Sequence, residues 1–464
     1  MAAAGECAWQ CALQHWPQAR QLCVVVGSGN NGGDGWVLAT HALQAGREVQ
    51  VVTLPGDEPG TALAARAAAG YVAAGGGCTV FDGALPMADL LVDALAGLGL
   101  RGALTGAAEA AVKALNAHAA PVLSLDVPSG IDADRGGQPG SAVQATRTLQ
   151  FIVAHRGLYT GDGLAHAGCL HLATLALPAE AWGDVVPAAQ GWRSARLPAL
   201  LPPRPLNAHK GTSGHVLCVG GNHGSGGALL LAAHAALRAG AGLTSLATRA
   251  AHVGAAMARL PEAMCHAVED GRVPAALLQR ASVLAIGPGL GQDDWSAALW
   301  QQARDSGLPL VVDADALNLL AVDPCPLHDA VLTPHPGEAA RLLGFATRAI
   351  EQDRFAAAHA LAERFAAVVV LKGAGTVVAA PGRVPAVIGA GNPGMAVGGM
   401  GDLLTGIIAA LRAQGLPAFE AAAAGALLHA LAGDAAAADG ARGLLPTDLL
   451  APLRRLCNPD VHHA

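Results

Sequence analysis

Runs of Val, Leu and Ile of strand length alternate along this chain with Ala-rich stretches of helical length, and nearly every run stops at a Gly, Asp or Asn. That rhythm predicts α/β layers around parallel sheets, because parallel strands need crossover helices and are buried on both faces. It breaks once, at SARLPALLPPRPLNAHKG, where Pro198, Pro202, Pro203 and Pro205 deny the backbone both helix and central strand. The expected organisation is two domains, 1–193 and 207–464, joined by a proline-rich linker over 194–206. Both lengths are ordinary for single domains.

Composition narrows the function classes. With 52% apolar and 14% charged residues, the chain is not an intrinsically disordered one. Lys plus Arg total 28 against 35 for Asp plus Glu, a net charge of −7, and no basic stripe is interleaved with aromatics, so nucleic acid is not an expected partner. The nine cysteines contain no C-x-x-C pair and scatter from Cys7 to Cys457, which fits reduced thiols rather than a disulfide frame or a zinc site. Neither a basic leader nor an apolar run of membrane length is seen, so no membrane partner is expected and the cytoplasm is the expected compartment.

In the first half, LCVVVGSGNNGGDGWVLATHALQAGREVQVVTL reads as a strand over 22–26, a loop over 27–35, a helix closed by Gly46 and a strand over 48–54. Gly27-x-Gly29-x-x-Gly32 matches the dinucleotide fingerprint, but the tip of the second strand is Thr53-Leu54-Pro55, without the acidic residue that would hold a ribose. Two more strands end in carboxylates, Asp93 and Asp126. Strand C-termini of a parallel open sheet share one crevice, so Asn31, Asp93, Asp126 and Ser129 are expected to converge, supplying oxygens for a hard cation and one carboxylate for proton transfer. The alternative for each Asp is a helix cap.

In the second half, HVLCVGGNHGSGGALLLAAHAALRAG gives a strand, a glycine loop over 220–227 and a helix. LPLVVDADALNLL ends a strand at Asp313, and LTPHPGE clamps His335 between Pro334 and Pro336. AAVVVLKGAGTVVAA reads as a hairpin with Lys372 at a strand end; the chain has only three lysines, Lys113, Lys210 and Lys372, so one in a glycine turn is a candidate phosphate ligand. GNPGMAVGGMGDLLTGIIAALRAQG feeds a glycine turn into a helix starting near Asp402. Gly398, Gly399 and Gly401 leave backbone N–H groups free to face an anion at the helix N-terminus, with Asp402 beside it as a candidate base for a hydroxyl or, alternatively, an N-cap. No G-x-x-x-x-G-K-[ST] occurs, which excludes a P-loop ATPase.

These motifs resemble two known families. GNNGGDG, DALAGLGLRG and DVPSGID are similar to the NAD(P)H-hydrate epimerase domain, Rossmann-like with three α/β/α layers. HKGTSG, GNHGSGGA, IGPGLG, VVDADALN, LTPHPGE, LKGAGT and GGMGD are similar, in the same order, to the ADP-dependent NAD(P)H-hydrate dehydratases, which have a ribokinase-like α/β/α fold. The first resemblance implies that Asn30, Asn31, Gly32, Gly33 and Asp34 with Gly97, Leu98, Gly99, Leu100, Arg101, Gly102 and Ala103 embrace a hydrated nicotinamide nucleotide. It also implies that Asn31, Asp93 and Ser129 hold K⁺ and that Asp126 binds substrate and transfers the proton. The second implies that Ala228, Gly289, His335 and Asp402 line the hydrate site, with Asp402 catalytic, while Lys372, Gly373, Ala374, Gly375, Thr376 and Gly401 hold the adenine nucleotide. Three positions depart from the families: Leu98 and Met400 stand where threonine is usual, and His155 where lysine is usual.

The function this implies is repair of NADHX and NADPHX, epimerising R and S forms in the first domain and dehydrating the S form at the expense of ADP in the second. Mg²⁺ is the expected companion of the nucleotide, with Asp313 and Asp315 as outer ligands, and a homo-oligomer, a tetramer by similarity, is the expected assembly. The alternative is a ribokinase-like kinase of a small hydroxylated metabolite carrying an inactive nucleotide-binding N-terminal module.

Overall fold

The computed structural model describes residues 1–458 and divides into two compact units, Met1–Val186 and Pro187–Ala464. The first is built on seven strands: β1 (Gln21–Val26), β2 (Glu48–Thr53), β3 (Gly77–Val80), β4 (Leu90–Ala94), β5 (Val122–Leu125), β6 (Arg147–Phe151) and β7 (Cys169–Ala173). Their order is β3-β2-β1-β4-β5-β6-β7, all parallel. The order reverses between β1 and β4, the switch point at which open α/β sheets bind ligands. β1 shows why three layers form: Leu22, Val24 and Val26 join the core under helices Ala2–His15 and Asn30–Gln44, while Cys23 and Val25 point into the opposite core with helix Gly106–Ala117.

One expectation is corrected here. The glycine-rich stretch read as a loop over 27–35 is a loop only as far as Gly29, and helix Asn30–Gln44 begins on the next residue. Its glycines serve close packing: a Cβ on Gly32 would collide with the Gly27 carbonyl oxygen, and one on Gly35 would lie 2.7 Å from Ala94 Cβ.

The second unit carries ten strands: β8 (Gln190–Gly191), β9 (His215–Val219), β10 (Leu243–Thr248), β11 (Met264–Ala267), β12 (Val283–Ile286), β13 (Leu310–Val312), β14 (Ala330–Leu332), β15 (Val368–Leu371), β16 (Thr376–Ala379) and β17 (Ala386–Ile388). The order is β11-β10-β9-β12-β13-β14-β15-β16-β17-β8. β11 through β15 in that order are parallel, and β15-β16-β17 is the antiparallel hairpin and its continuation expected at LKGAGT. Helices Gly226–Arg238 and Met400–Ala413 pack against β9, and helix Ala418–Ala436 packs against β14 to β17, in one continuous apolar core. Gly406 permits the first two to touch, since a Cβ there would strike the Ala232 carbonyl oxygen.

The boundary between the compact units falls at Val186, before the Arg193 expected, and the segment read as a linker is built into the second unit. β8 pairs parallel with β17, and Trp192 and Leu197, at 7% and 2% exposure, enter its core. The prolines do break the α/β rhythm, but flanking apolar side chains anchor the stretch. The nine cysteines are free thiols, and among the described residues no helix is long and apolar enough to cross a membrane.

Candidate active sites

In the first unit, the loops that follow β1, β4, β5 and β6 meet around Asp126. This residue follows β5 directly with φ 65°, a left-handed backbone that non-glycine residues seldom adopt. Its N–H donates to Leu149 O at 2.8 Å, and its Oδ1 lies 2.7 Å from His155 Nε2. Oδ2 accepts a long 3.4 Å bond from the Leu98 N–H. Leu98 thus enters through its backbone while its side chain is exposed, so leucine in place of threonine leaves this donor intact.

Gly97 is confined by the same carboxylate, because a Cβ there would lie 2.8 Å from Asp126 Oδ2 and 3.5 Å from the Asn31 side chain. Gly97→Ala is therefore expected to push the carboxylate aside and, on the expectation that Asp126 carries the proton of the epimerisation the sequence resemblance implies, to slow that reaction at least about tenfold. The same variant should melt within about 2 °C of the parent, as the contact is with a side-chain end rather than backbone. Paired epimerisation rates and melting curves check both statements.

Asp93 in β4 is fully buried and accepts from Ser129 Oγ (2.6 Å), Ser129 N (2.9 Å), Ser124 Oγ (2.8 Å) and Leu95 N (3.3 Å). Burial pushes its carboxyl upward, and these donors only partly offset it. All four partners are neutral. Next to it, Asn31 Nδ2 donates to Ala96 O at 3.1 Å, while Asn31 Oδ1 is buried without a hydrogen-bond partner. A buried carboxylate and an orphaned amide oxygen, joined through the shared Ala96–Ser129 contacts, form a donor set suited to a monovalent cation, with Asp93 contributing charge more than free lone pairs. Asp34 in the same helix is pushed up to about 6, chiefly by burial.

Not every expected residue turns inward. Asn30 Oδ1 accepts from Thr61 Oγ1 at 2.8 Å and so ties the helix start to the next loop, and Arg101 is exposed. Sequence reading missed Ser124 as a partner of Asp93. It also noted His155 only as a departure, not as the neighbour of Asp126.

In the second unit, the C-terminal ends of β13, β14 and β15 bring Asp313, Glu338 and Lys372 together. Asp313 is buried and its oxygens are all engaged: Lys372 Nζ (2.7 Å) and Thr333 Oγ1 (2.7 Å) on Oδ1, Thr405 Oγ1 (2.8 Å) on Oδ2. Burial alone would raise its carboxyl, but the Lys372 ammonium and the hydroxyl donors outweigh it and hold it below the usual range. Asp315 is likewise committed, accepting from Gly291 N at 2.8 Å and Asn318 Nδ2 at 3.4 Å. These two residues, expected as outer metal ligands, have structural bonds as well: Asp313 anchors Lys372, and Asp315 pins the loop after β12.

Gly401 sits over this pair, and a Cβ there would lie 3.3 Å from Lys372 Nζ and 3.7 Å from Asp313 Oδ2. The helix behind it runs Met400–Ala413 with Gly399 (φ 94°) as N-cap, so Asp402 lies in the first turn and does not cap it. Burial pushes the Asp402 carboxyl up to about 6, reinforced by Asp313 and Asp315 and opposed by Lys372. Gly289 is tied to the loop that leads into the helix carrying Ala228, through Gly221 N to Pro288 O (3.0 Å) and Asn222 N to Gly289 O (2.7 Å). His335 is half-exposed and spends Nδ1 capping helix Pro336–Leu343 through Gly337 N and Glu338 N. The other ring nitrogen stands 3.5 Å from Glu338 Oε1. The KGAGT turn closes through Thr376 Oγ1 to Gly373 O (3.2 Å) and Lys372 N to Pro334 O (2.9 Å).

Sequence reading missed Glu338, Thr333, Thr405 and Arg354 here. Glu338 is pushed up to about 7 by burial and lies 3.8 Å from Lys372 Nζ; its place three residues after His335 was the capping-box spacing that could have revealed it. Buried Arg354 donates to Leu371 O and Lys372 O, 3.1 Å each, and so shapes the turn from behind.

This arrangement has close parallels among known proteins. Residues 216–455 match the family model described as NAD(P)H-hydrate dehydratase, and residues 1–157 that of the YjeF-related protein N-terminus. The chain is 44% identical over 461 residues to a bifunctional NAD(P)H-hydrate repair enzyme of Coxiella burnetii, covering 99% of this chain and 94% of that protein. It is 42% identical to the corresponding Escherichia coli enzyme over 99% of this chain and 90% of the relative. The second unit is similar to the ADP/ATP-dependent NAD(P)H-hydrate dehydratase of Bacillus subtilis co-crystallised with ATP and Mg²⁺, with TM-score 0.53 and 30% identity over 58% of this chain and 97% of that one.

Proposed function

The chain belongs to the family of bifunctional NAD(P)H-hydrate repair enzymes, and from that premise we propose a division of labour between its two crevices. The enzyme returns NADHX and NADPHX, in which water has added to the nicotinamide ring, to the intact coenzymes. One activity interconverts the R and S epimers, and the other dehydrates the S epimer at the expense of ADP, giving AMP and phosphate.

The observation that carries the dehydratase assignment is Asp402, buried in the first turn of its helix beside the Lys372–Asp313 pair and the glycine turn. Asp402 takes the proton of the substrate hydroxyl, the freed oxygen attacks the terminal phosphorus of ADP, and AMP departs. The new phosphate ester is a good leaving group. It is expelled as phosphate, which carries off the proton that a neighbouring ring C–H gives up, and the double bond returns. Ala228, Gly289 and His335 line the hydrate, and Lys372, Gly373, Ala374, Gly375, Thr376 and Gly401 hold the nucleotide. The Lys372 ammonium acts there as a buried charge already neutralised by Asp313. Mg²⁺ would be held chiefly by the phosphates themselves, with Asp313 and Asp315 as its outer partners.

In the first unit, Asn30, Asn31, Gly32, Gly33 and Asp34 with the segment 97–103 embrace the hydrate, and Asp126 carries the proton. K⁺ would be held by Asn31 Oδ1, Ser129 Oγ and the charge of Asp93, fixing the loop that carries Gly97; the orphaned Asn31 oxygen supports this. A cytoplasmic setting fits nine unpaired thiols, and the tetramer implied by similarity belongs to the same reading, to be measured by light scattering.

Incubating the protein with S-NADPHX and ADP tests the assignment. Absorbance at 340 nm should rise, with one AMP and one phosphate released per NADPH formed. Accumulation of a phosphorylated compound without NADPH would identify a kinase of a hydroxylated metabolite instead.

A further inference from the structure

We propose that His155 is the positioning residue of the epimerase crevice: by fixing Asp126 Oδ1 through Nε2, it leaves Oδ2 as the oxygen that meets the substrate. The inference rests on the reading of Asp126 as the proton carrier and adds the group that makes one of its oxygens available and aimed.

Three observations carry it. First, Asp126 holds a left-handed backbone at φ 65°, and a non-glycine residue stays in that region only where its surroundings overdetermine it. Two tethers do so from β6 and the loop after it: Leu149 O receives its N–H at 2.8 Å, and His155 Nε2 meets its carboxylate at 2.7 Å. Second, the residue that carries the imidazole is itself held. The His155 backbone N–H donates to Gln150 Oε1 at 2.7 Å, Gln150 Nε2 donates to Tyr159 OH at 3.2 Å, and the His155 side chain is 5% exposed. A ring so enclosed cannot follow the carboxylate if it swings, so it dictates where the carboxylate stands.

Third, the two carboxylate oxygens are unlike. Oδ1 has a short bond to the ring, whereas Oδ2 has the 3.4 Å contact from Leu98 N and faces Gly97, the glycine of that loop at which an added Cβ would touch it. Proton transfer between Oδ2 and a substrate hydroxyl then needs no prior rotation of Asp126.

The test uses the full chain with His155→Ala, His155→Lys and Asp126→Ala. R-NADPHX is supplied with excess ADP, so that S epimer is removed as it forms. His155→Ala should lower kcat for the R epimer roughly 10²-fold while its KM stays within about threefold and dehydration of supplied S epimer is unchanged. His155→Lys, which restores a hydrogen-bond donor to Oδ1, should regain about tenfold over the alanine variant. An alanine variant within about twofold of the parent, with Asp126→Ala inactive, would overturn the proposal, as would a loss that lysine does not relieve at all. If Asp126→Ala itself remains active, the fault lies with the proton-carrier reading instead.

Discussion

Asp402→Asn will lower kcat for S-epimer dehydration by roughly 10²–10⁴-fold, the usual worth of a positioned acid–base group, while leaving R–S interconversion intact and KM for ADP within a few-fold. The asparagine keeps the shape and the first-turn position in helix Met400–Ala413 but cannot accept the hydroxyl proton. The parent enzyme should show the same dependence in its pH profile. Its carboxyl is raised to about 6 by burial, with Asp313 and Asp315 adding to the effect, so the base form is depleted as pH falls through that value. Activity is therefore lost on the acid side, about tenfold per pH unit below 6, and is retained above it. Initial rates at 340 nm between pH 5 and 8 read both effects. An asparagine variant with parental kcat would remove Asp402 from the chemistry.

The second large effect is on stability. Lys372→Ala should cost about 3–5 kcal/mol, because it leaves the Asp313 carboxylate buried with only hydroxyl donors to answer its charge. For a unit of this size that corresponds to a fall in Tm of roughly 10 °C. Combining it with Asp313→Ala should recover part of the loss, since both charges are then gone and the penalty of the unpaired one disappears. Calorimetry on the single and double variants checks this, and a double variant that melts below Lys372→Ala would contradict it. The same substitution should abolish the thermal stabilisation given by ADP, because the proposed function has Lys372 open the turn that receives the nucleotide.

What the sequence disclosed and what it hid divide along a physical line. Alternation of apolar runs and Ala-rich helices revealed the parallel sheets, and the carboxylates at strand ends could be placed because every parallel strand delivers its last residue to one edge. The glycine stretch after β1 was misread because glycine disfavours helices in isolation, whereas here Gly32 and Gly35 are needed where helix meets strand and loop. The proline-rich segment was misread for a similar reason: the prolines were visible, but burial of Trp192 and Leu197 is a tertiary fact.

Partnerships were the least legible. Asp313 meets Lys372 across 59 residues and Thr405 across 92, and Asp126 meets His155 across 29. No local pattern records such pairs. They arise because the sheet order brings the ends of β5 and β6, and of β13 and β15 on either side of β14, to one edge, with helix Met400–Ala413 laid against the second, and that order is fixed only once each unit has folded.

A mixture of R- and S-NADPHX with limiting enzyme and excess ADP puts the claim that one chain serves both epimers to its most direct trial. The parent protein should convert the entire mixture to NADPH in one continuous progress curve at 340 nm, whereas Asp126→Ala should stop once the S fraction is spent and then creep at the uncatalysed rate. A parent curve that halts at the S fraction, or an Asp126→Ala curve that runs to completion at the parental rate, would contradict it.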